Sequence, residues 1–113
     1  MKTPSQKEIW YADLEPIRGG EQGGKRPVLV ISGDTLNNGL PVVIVCPLTS
    51  KIKGYPGSVE LSPTKENGLK IPSEVLTFHV RSIARNRLNK KIGILNKVEY
   101  QKVFHVLFDI LTL

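Results

Sequence analysis

Sulfur and imidazole are scarce in this chain: there is one cysteine, Cys46, and there are two histidines, His79 and His105. A lone cysteine forms no internal disulfide, and within Val42-Val43-Ile44-Val45-Cys46 it reads as a buried thiol without a chemical role. The histidines stand far apart and no carboxylates pair at a useful spacing, so no metal-ligand cluster is visible. A Gly-x-Ser-x-Gly elbow is missing too, which removes the usual sign of a Ser-His-Asp hydrolase. No apolar run approaches the eighteen or so residues of a membrane span, and Met1-Lys2-Thr3-Pro4 leads into polar residues rather than a signal-peptide core. These absences predict a cytoplasmic protein that meets no membrane, with any catalysis free of metal and cofactor.

Acidic residues are also in deficit. Sixteen Lys and Arg against ten Asp and Glu leave a formal charge of +6 on 113 residues. Between Val75 and Val98 lie Arg81, Arg85, Arg87, Lys90, Lys91 and Lys97 with no acidic residue among them. A polyanion or an acidic peptide is the partner this segment suits, unless the charges serve only solubility.

The length and the 40% apolar content fit one domain, residues 1–113, with a modest core. Glu8 to Leu14 reads as a first strand. Pro27–Ser32 and Pro41–Leu48 are continuous apolar runs, each opened by a proline that a strand's first position tolerates, and they read as buried central strands. Gly33-Asp34 and Asn37-Asn38-Gly39 between them read as turns. Further strands are expected near Ser58–Leu61, from Glu74 to Ile83 and around Ile92–Leu95. The last segment changes period: Val103, Phe104, Leu107, Ile110 and Leu111 mark one helical face. Asn96 and Glu99 outline a capping box, with Leu95 and Tyr100 placed as a hydrophobic staple. Short strands without intervening helices, closed by one terminal helix, predict a strongly bent sheet or small barrel rather than a parallel sheet.

Two segments are candidates for chemistry. Arg18 to Pro27 holds four glycines and superficially resembles a phosphate loop, but Lys25 is followed by Arg26-Pro27 and a strand, not by Ser or Thr and a helix. What remains is either a plain hairpin connection or a ligand-holding loop with three cations, Arg18, Lys25 and Arg26. At Pro47-Leu48-Thr49-Ser50-Lys51 a buried strand turns polar. If the two central strands are neighbours, Thr49 approaches Arg26; otherwise its hydroxyl serves only the local backbone.

Taken together, Glu8-Ile-Trp-Tyr-Ala-Asp-Leu-Glu-Pro16, Gly20-Glu-Gln-Gly-Gly-Lys-Arg-Pro-Val-Leu-Val-Ile31 and Pro47-Leu-Thr-Ser50 resemble the opening half of the MazF/PemK (Kid) toxins in order and spacing. Lys53-Gly54-Tyr55-Pro56, Val59-Glu60-Leu61 and Val80-Arg81-Ser82-Ile83 extend the resemblance over nearly the whole chain. It implies a small SH3-like barrel, a homodimer and a toxin that cuts single-stranded RNA at specific sequences, restrained by an acidic MazE-like antitoxin peptide. Matched by position, Arg26 corresponds to the family's catalytic arginine and Thr49 to its hydroxyl partner, with Glu21 a possible base. Expected RNA contacts are Gln22, Lys25, Ser50, Lys51, Lys53, His79 and Arg81, while Trp10, Tyr11 and Tyr55 offer stacking surfaces.

The chain departs from the family pattern in two places. Phe78 and His79 stand where PemK-like members carry acidic and amide residues, and Gly20 stands where relatives often have Ser or His. His79 is then a substitute base, a stacking surface or an ordinary strand histidine. Two further functions share this fold class: a non-enzymatic gyrase poison like CcdB, whose tryptophan-bearing tail this chain lacks, and a catalytically silent RNA-binding barrel.

Overall fold

The computed structural model describes residues 3–14 and 24–112. Seven strands, β1 (Glu8–Asp13), β2 (Lys25–Val30), β3 (Val42–Thr49), β4 (Ser58–Leu61), β5 (Ser73–Leu76), β6 (Arg81–Ala84) and β7 (Leu88–Ile94), are joined with a short helix α1 (Asp34–Gly39) and a closing helix α2 (Lys97–Thr112). The sheet runs β4-β5-β3-β2-β1-β7, and β6 also pairs with β3. Every pairing is antiparallel. The path is open rather than closed, but β3 forks it: Val42 to Val45 pair with β6, and Leu48 and Thr49 with β5. Two register shifts between β1 and β7 add local bending. The result is the barrel-like, mainly β fold with a terminal helix that the sequence predicts.

Both faces of the central strands are buried, which explains their unbroken apolar runs. Ile9, Leu29, Cys46 and Leu48 join the core beneath α2, whereas Trp10, Val28, Val30 and Val45 pack into a second cluster on the other face. Alternate side chains therefore serve alternate cores.

The helix start follows its capping box closely. The Asn96 backbone N–H donates to Glu99 Oε1 at 3.0 Å, and the Glu99 N–H donates to Asn96 Oδ1 at 2.7 Å. Val103 and Leu107 are buried at 0% and 6% exposure, each contributing roughly 1.5–3 kcal/mol of burial energy. Phe104 and Leu111, expected on the same face, are exposed. Successive residues around a helix are about 100° apart, so Phe104 turns away from the line through Val103 and Leu107.

Four sequence expectations need correction. Pro27 is the third residue of β2 rather than its first; pairing with β3 begins at Val28, so its missing N–H interrupts no ladder bond on that side. The turn signals between β2 and β3 enclose a real helical turn, α1, because the buried Asn37 amide donates inward to Pro4 O and Ser32 O. The expected strand from Glu74 to Ile83 breaks into β5 and β6 around a 3-10 turn at Thr77–His79. There the Thr77 N–H and hydroxyl both donate to Gly57 O, at 2.9 and 2.6 Å, drawing the chain out of the ladder. β7 is longer than Ile92–Leu95, since Lys90 and Lys91 project outward from backbone that still pairs with β1.

Among the described residues no helix is long and apolar enough to cross a membrane.

Candidate active site

The register answers the question left by the sequence. β2 and β3 are neighbours, and their ladder ends with Val28 opposite Pro47, so Arg26 and Thr49 each lie two residues beyond that pair at the same end of the two strands. The Arg26 guanidinium donates from Nη1 to Leu48 O at 3.5 Å, a long bond that aims it at the end of β3. The Thr49 hydroxyl accepts the Lys51 backbone N–H at 3.2 Å. A hydroxyl that accepts one such bond still has a proton to donate.

Arg26 and Thr49 open into a cleft of about 980 Å³. Ser50, Lys51, Lys53 and His79 line the same cleft, so six of the sequence-predicted site residues converge there. Lys25 and Arg81 are not among its lining residues. Lys25 is exposed at the start of β2, opposite Asp13. Arg81 is half-buried on β6 opposite Val45, where its Nη1 is buried without a hydrogen-bond partner among the described residues. Glu21 and Gln22 lie outside the described residues, as do Arg18 and Gly20.

The cleft gathers cations that the sequence leaves scattered. Arg26, Lys51, Lys53, Lys70, Lys90 and Lys91 all line it, from four separate stretches of chain. Such a concentration favours a polyanion. Lys91 is partly committed, since its Nζ pairs with Glu8 Oε2 at 3.0 Å. The aromatic rim is formed by Tyr11, Tyr55 and Phe78, all exposed, with the His79 ring 4.7 Å from that of Phe78. Of the neighbours Trp10 and Tyr11, the tryptophan is the core residue and the tyrosine faces the cleft. The 3-10 turn at Thr77–His79 is what swings Phe78 and His79 to the rim.

One wall is held very tightly. A Cβ on Gly68 would lie 2.2 Å from Ile92 O, so the loop carrying Leu69, Lys70 and Ile71 packs backbone to backbone on β7. Asn67, fully buried, organises that loop: Oδ1 accepts the Thr64 and Leu69 N–H groups, and Nδ2 donates to Ser62 O and Glu99 Oε2.

Glu74 is the residue that pattern reading missed. It is 2% exposed, sits opposite Thr49 in the β3–β5 ladder and is the only carboxylate lining the cleft among the described residues. Burial alone pushes its pKa up, but hydrogen bonds from the Lys53 and Gly54 N–H groups, with the Ser58 hydroxyl nearby, outweigh burial and leave it below the ordinary carboxylate value. Its signal was present in the sequence as one charge inside the apolar stretch Val75-Leu76 and its neighbours.

Known proteins resemble this chain over most of its length. The family model described as PemK-like, MazF-like toxin of type II toxin-antitoxin system matches residues 5–111. The chain is 37% identical over 98 residues to the Endoribonuclease MazF of Staphylococcus saprophyticus, covering 85% of this chain and 81% of that one. The crystal structure of MazF from Deinococcus radiodurans superposes with a TM-score of 0.87 at 31% identity, over 100% of both chains. A MazE-MazF structure from the same organism matches with a TM-score of 0.79 at 30% identity, over 98% of this chain and 97% of that chain.

Proposed function

This chain belongs to the PemK-like, MazF-like toxins of type II toxin–antitoxin systems, and from that premise we propose an endoribonuclease that cuts single-stranded RNA between Arg26 and Thr49 without a metal. The observation that carries the reading is that Arg26, whose guanidinium reaches Leu48 O, and Thr49 line one cationic cleft.

In this mechanism the ribose 2′-OH attacks the adjacent phosphorus as its proton leaves to a base. The bond to the 5′-oxygen then breaks and that oxygen takes up a proton. The products are a 2′,3′-cyclic phosphate and a 5′-OH end, and DNA, lacking the nucleophile, is spared. Arg26 exchanges its long bond to Leu48 O for charge-assisted bonds to the pentacoordinate phosphorane. Thr49 adds a neutral hydrogen bond from its hydroxyl proton. Arginine stays protonated in proteins, so it serves as a charge stabiliser rather than a base. Glu21 is the proposed base, with His79 at the rim the alternative. Glu74 is unsuited to that role because both of its oxygens already accept backbone N–H bonds.

Ser50, Lys51 and Lys53 contact the RNA backbone and bases within the cleft, and Gln22, with Lys25 at the start of β2, is proposed to extend those contacts beyond it. An acidic MazE-like peptide is the matching restraint, since the cations that hold RNA also hold carboxylates. A cytoplasmic homodimer of this single domain completes the reading, and the exposed Phe104 and Phe108 of α2 supply an apolar face for it. The relatives favour a nuclease over the gyrase-poison alternative.

The test is direct. Purified protein is incubated with several long single-stranded RNAs in EDTA, and the cut ends are mapped. Cleavage leaving 5′-OH ends is expected; intact RNA throughout would defeat the nuclease reading, and cleavage only with added metal would defeat the metal-free mechanism.

A further inference from the structure

A buried carboxylate in a cleft that gathers six cations is expensive to keep unless it has a task, because it opposes the polyanion the cleft attracts. The contacts of Glu74 identify the task. Its Oε1 accepts the Lys53 N–H at 3.1 Å and its Oε2 the Gly54 N–H at 2.8 Å. The Ser58 hydroxyl is within reach as well, although its one proton is shared with Tyr55 O at 2.7 Å. Gly54 sits at φ +66°, and a Cβ there would meet nothing within 4 Å. Glycine at this position therefore serves the backbone turn that aims its N–H at the carboxylate, rather than any need for space.

The segment held in this way is the loop from Ser50 to Gly57, which leaves β3 directly after Thr49 and enters β4. It carries Lys51, Lys53 and Tyr55, all exposed and all lining the cleft. Glu74 lies beside Thr49 on the neighbouring strand, so the loop departs from one member of a cross-strand pair and is tied back to the other. Between Ser50 and Tyr55 it is attached through the Thr49 hydroxyl, at Lys51, and the Glu74 carboxylate, at Lys53 and Gly54, while its far end is held where Gly57 O accepts from Thr77.

We propose that Glu74 is a positioning residue that latches the Lys51–Tyr55 loop in one arrangement and so decides which RNA sequences the cleft accepts. Extending the nuclease reading above, it assigns part of the sequence selectivity to a residue that touches no RNA. A latched loop presents its two ammonium groups and one phenol in fixed positions, and only some base sequences meet them well. An untied loop adapts to many sequences and pays its ordering entropy on each.

Two variants test the latch. Glu74→Gln keeps shape but turns an amide N–H toward one of the backbone donors, and Glu74→Leu fills the buried position without accepting anything. Amide hydrogen exchange is followed at Lys53 and Gly54, and cleavage is followed on a pool of single-stranded RNAs. Exchange at those two amides is expected to speed up by about tenfold or more. KM for the preferred RNA should rise by about tenfold with a smaller change in kcat, and the spread of cleavage rates across the pool should narrow. A purely architectural role would instead lower the active fraction and leave KM and the spread intact. Unchanged exchange, or loosened exchange with unaltered selectivity in both variants, would overturn the proposal. If the wild type cuts no RNA, the nuclease reading falls by itself. The latch is then judged by exchange together with the spread of Kd over single-stranded DNAs of the same sequences, and an unaltered spread sinks it.

Discussion

Arg26 Nη1 donates to Leu48 O across a 3.5 Å gap, which carries the guanidinium from β2 to the end of the strand that bears Thr49. So long a bond is weak, and it sets the guanidinium beside the end of β3. A phosphate oxygen arriving in the cleft is the better acceptor.

Replacing Arg26 by Ala should therefore abolish most cleavage while the fold survives, because the side chain is only half-buried. Loss of one such charge stabiliser is expected to cost about 10²–10³ in kcat, and Thr49→Val a smaller factor of the same kind. Single-turnover cleavage rates alongside circular dichroism provide the check. Wild-type rates in Arg26→Ala would remove the site from this cleft.

The two exposures along α2 separate folding from assembly. Leu107 is 6% exposed in the core beneath the helix, so Leu107→Asp should unfold the chain, and even Leu107→Ala should cost about 2–5 kcal/mol. Phe104 is 50% exposed and stacks on Tyr100, at 6.1 Å. On the proposed homodimer, Phe104→Asp should keep the fold's thermal transition and shift sedimentation toward a monomer. An unaltered dimer would show that this face is not the interface.

Asn96→Ala removes one half of the reciprocal cap on α2 and leaves the Glu99 N–H to water. Urea midpoints should fall by the equivalent of about 0.5–2 kcal/mol. Because Glu99 Oε2 also accepts from Asn67, which organises the Lys70 wall, Glu99→Ala should cost more than Asn96→Ala. Equal losses would mean that the Asn67 contact contributes nothing.

Glu8 links stability to pH. Burial raises its pKa, but the Ser5 N–H, the Trp10 indole N–H and Lys91 together outweigh burial and hold it below the ordinary value. A depressed carboxylate stabilises the fold above its unfolded pKa and loses that contribution as pH falls through the folded value. Glu8→Gln should thus be less stable than wild type at neutral pH, with the gap closing below about pH 4. A gap of constant size between pH 7 and pH 3 would show that the charge on Glu8 is not what matters.

Short-range chemistry was readable from the order of residues. The apolar runs at Val28–Ile31 and Val42–Cys46 specify strands buried on both faces, and Asn96 with Glu99 specifies where α2 begins, since each pattern is completed within a few residues. Arg26 and Thr49 stood out as residue types at strand ends, but their meeting depended on the β2–β3 register, which cores on both faces and a 22-residue contact separation establish together. The break at Thr77–His79, the exclusion of Arg81 from the cleft and the capture of Lys53 and Gly54 by Glu74 all come from contacts between distant segments. Periodicity and caps express local conformational preference; the positions of cations and carboxylates around one cleft express how the sheet folds back on itself, and no local window contains that information.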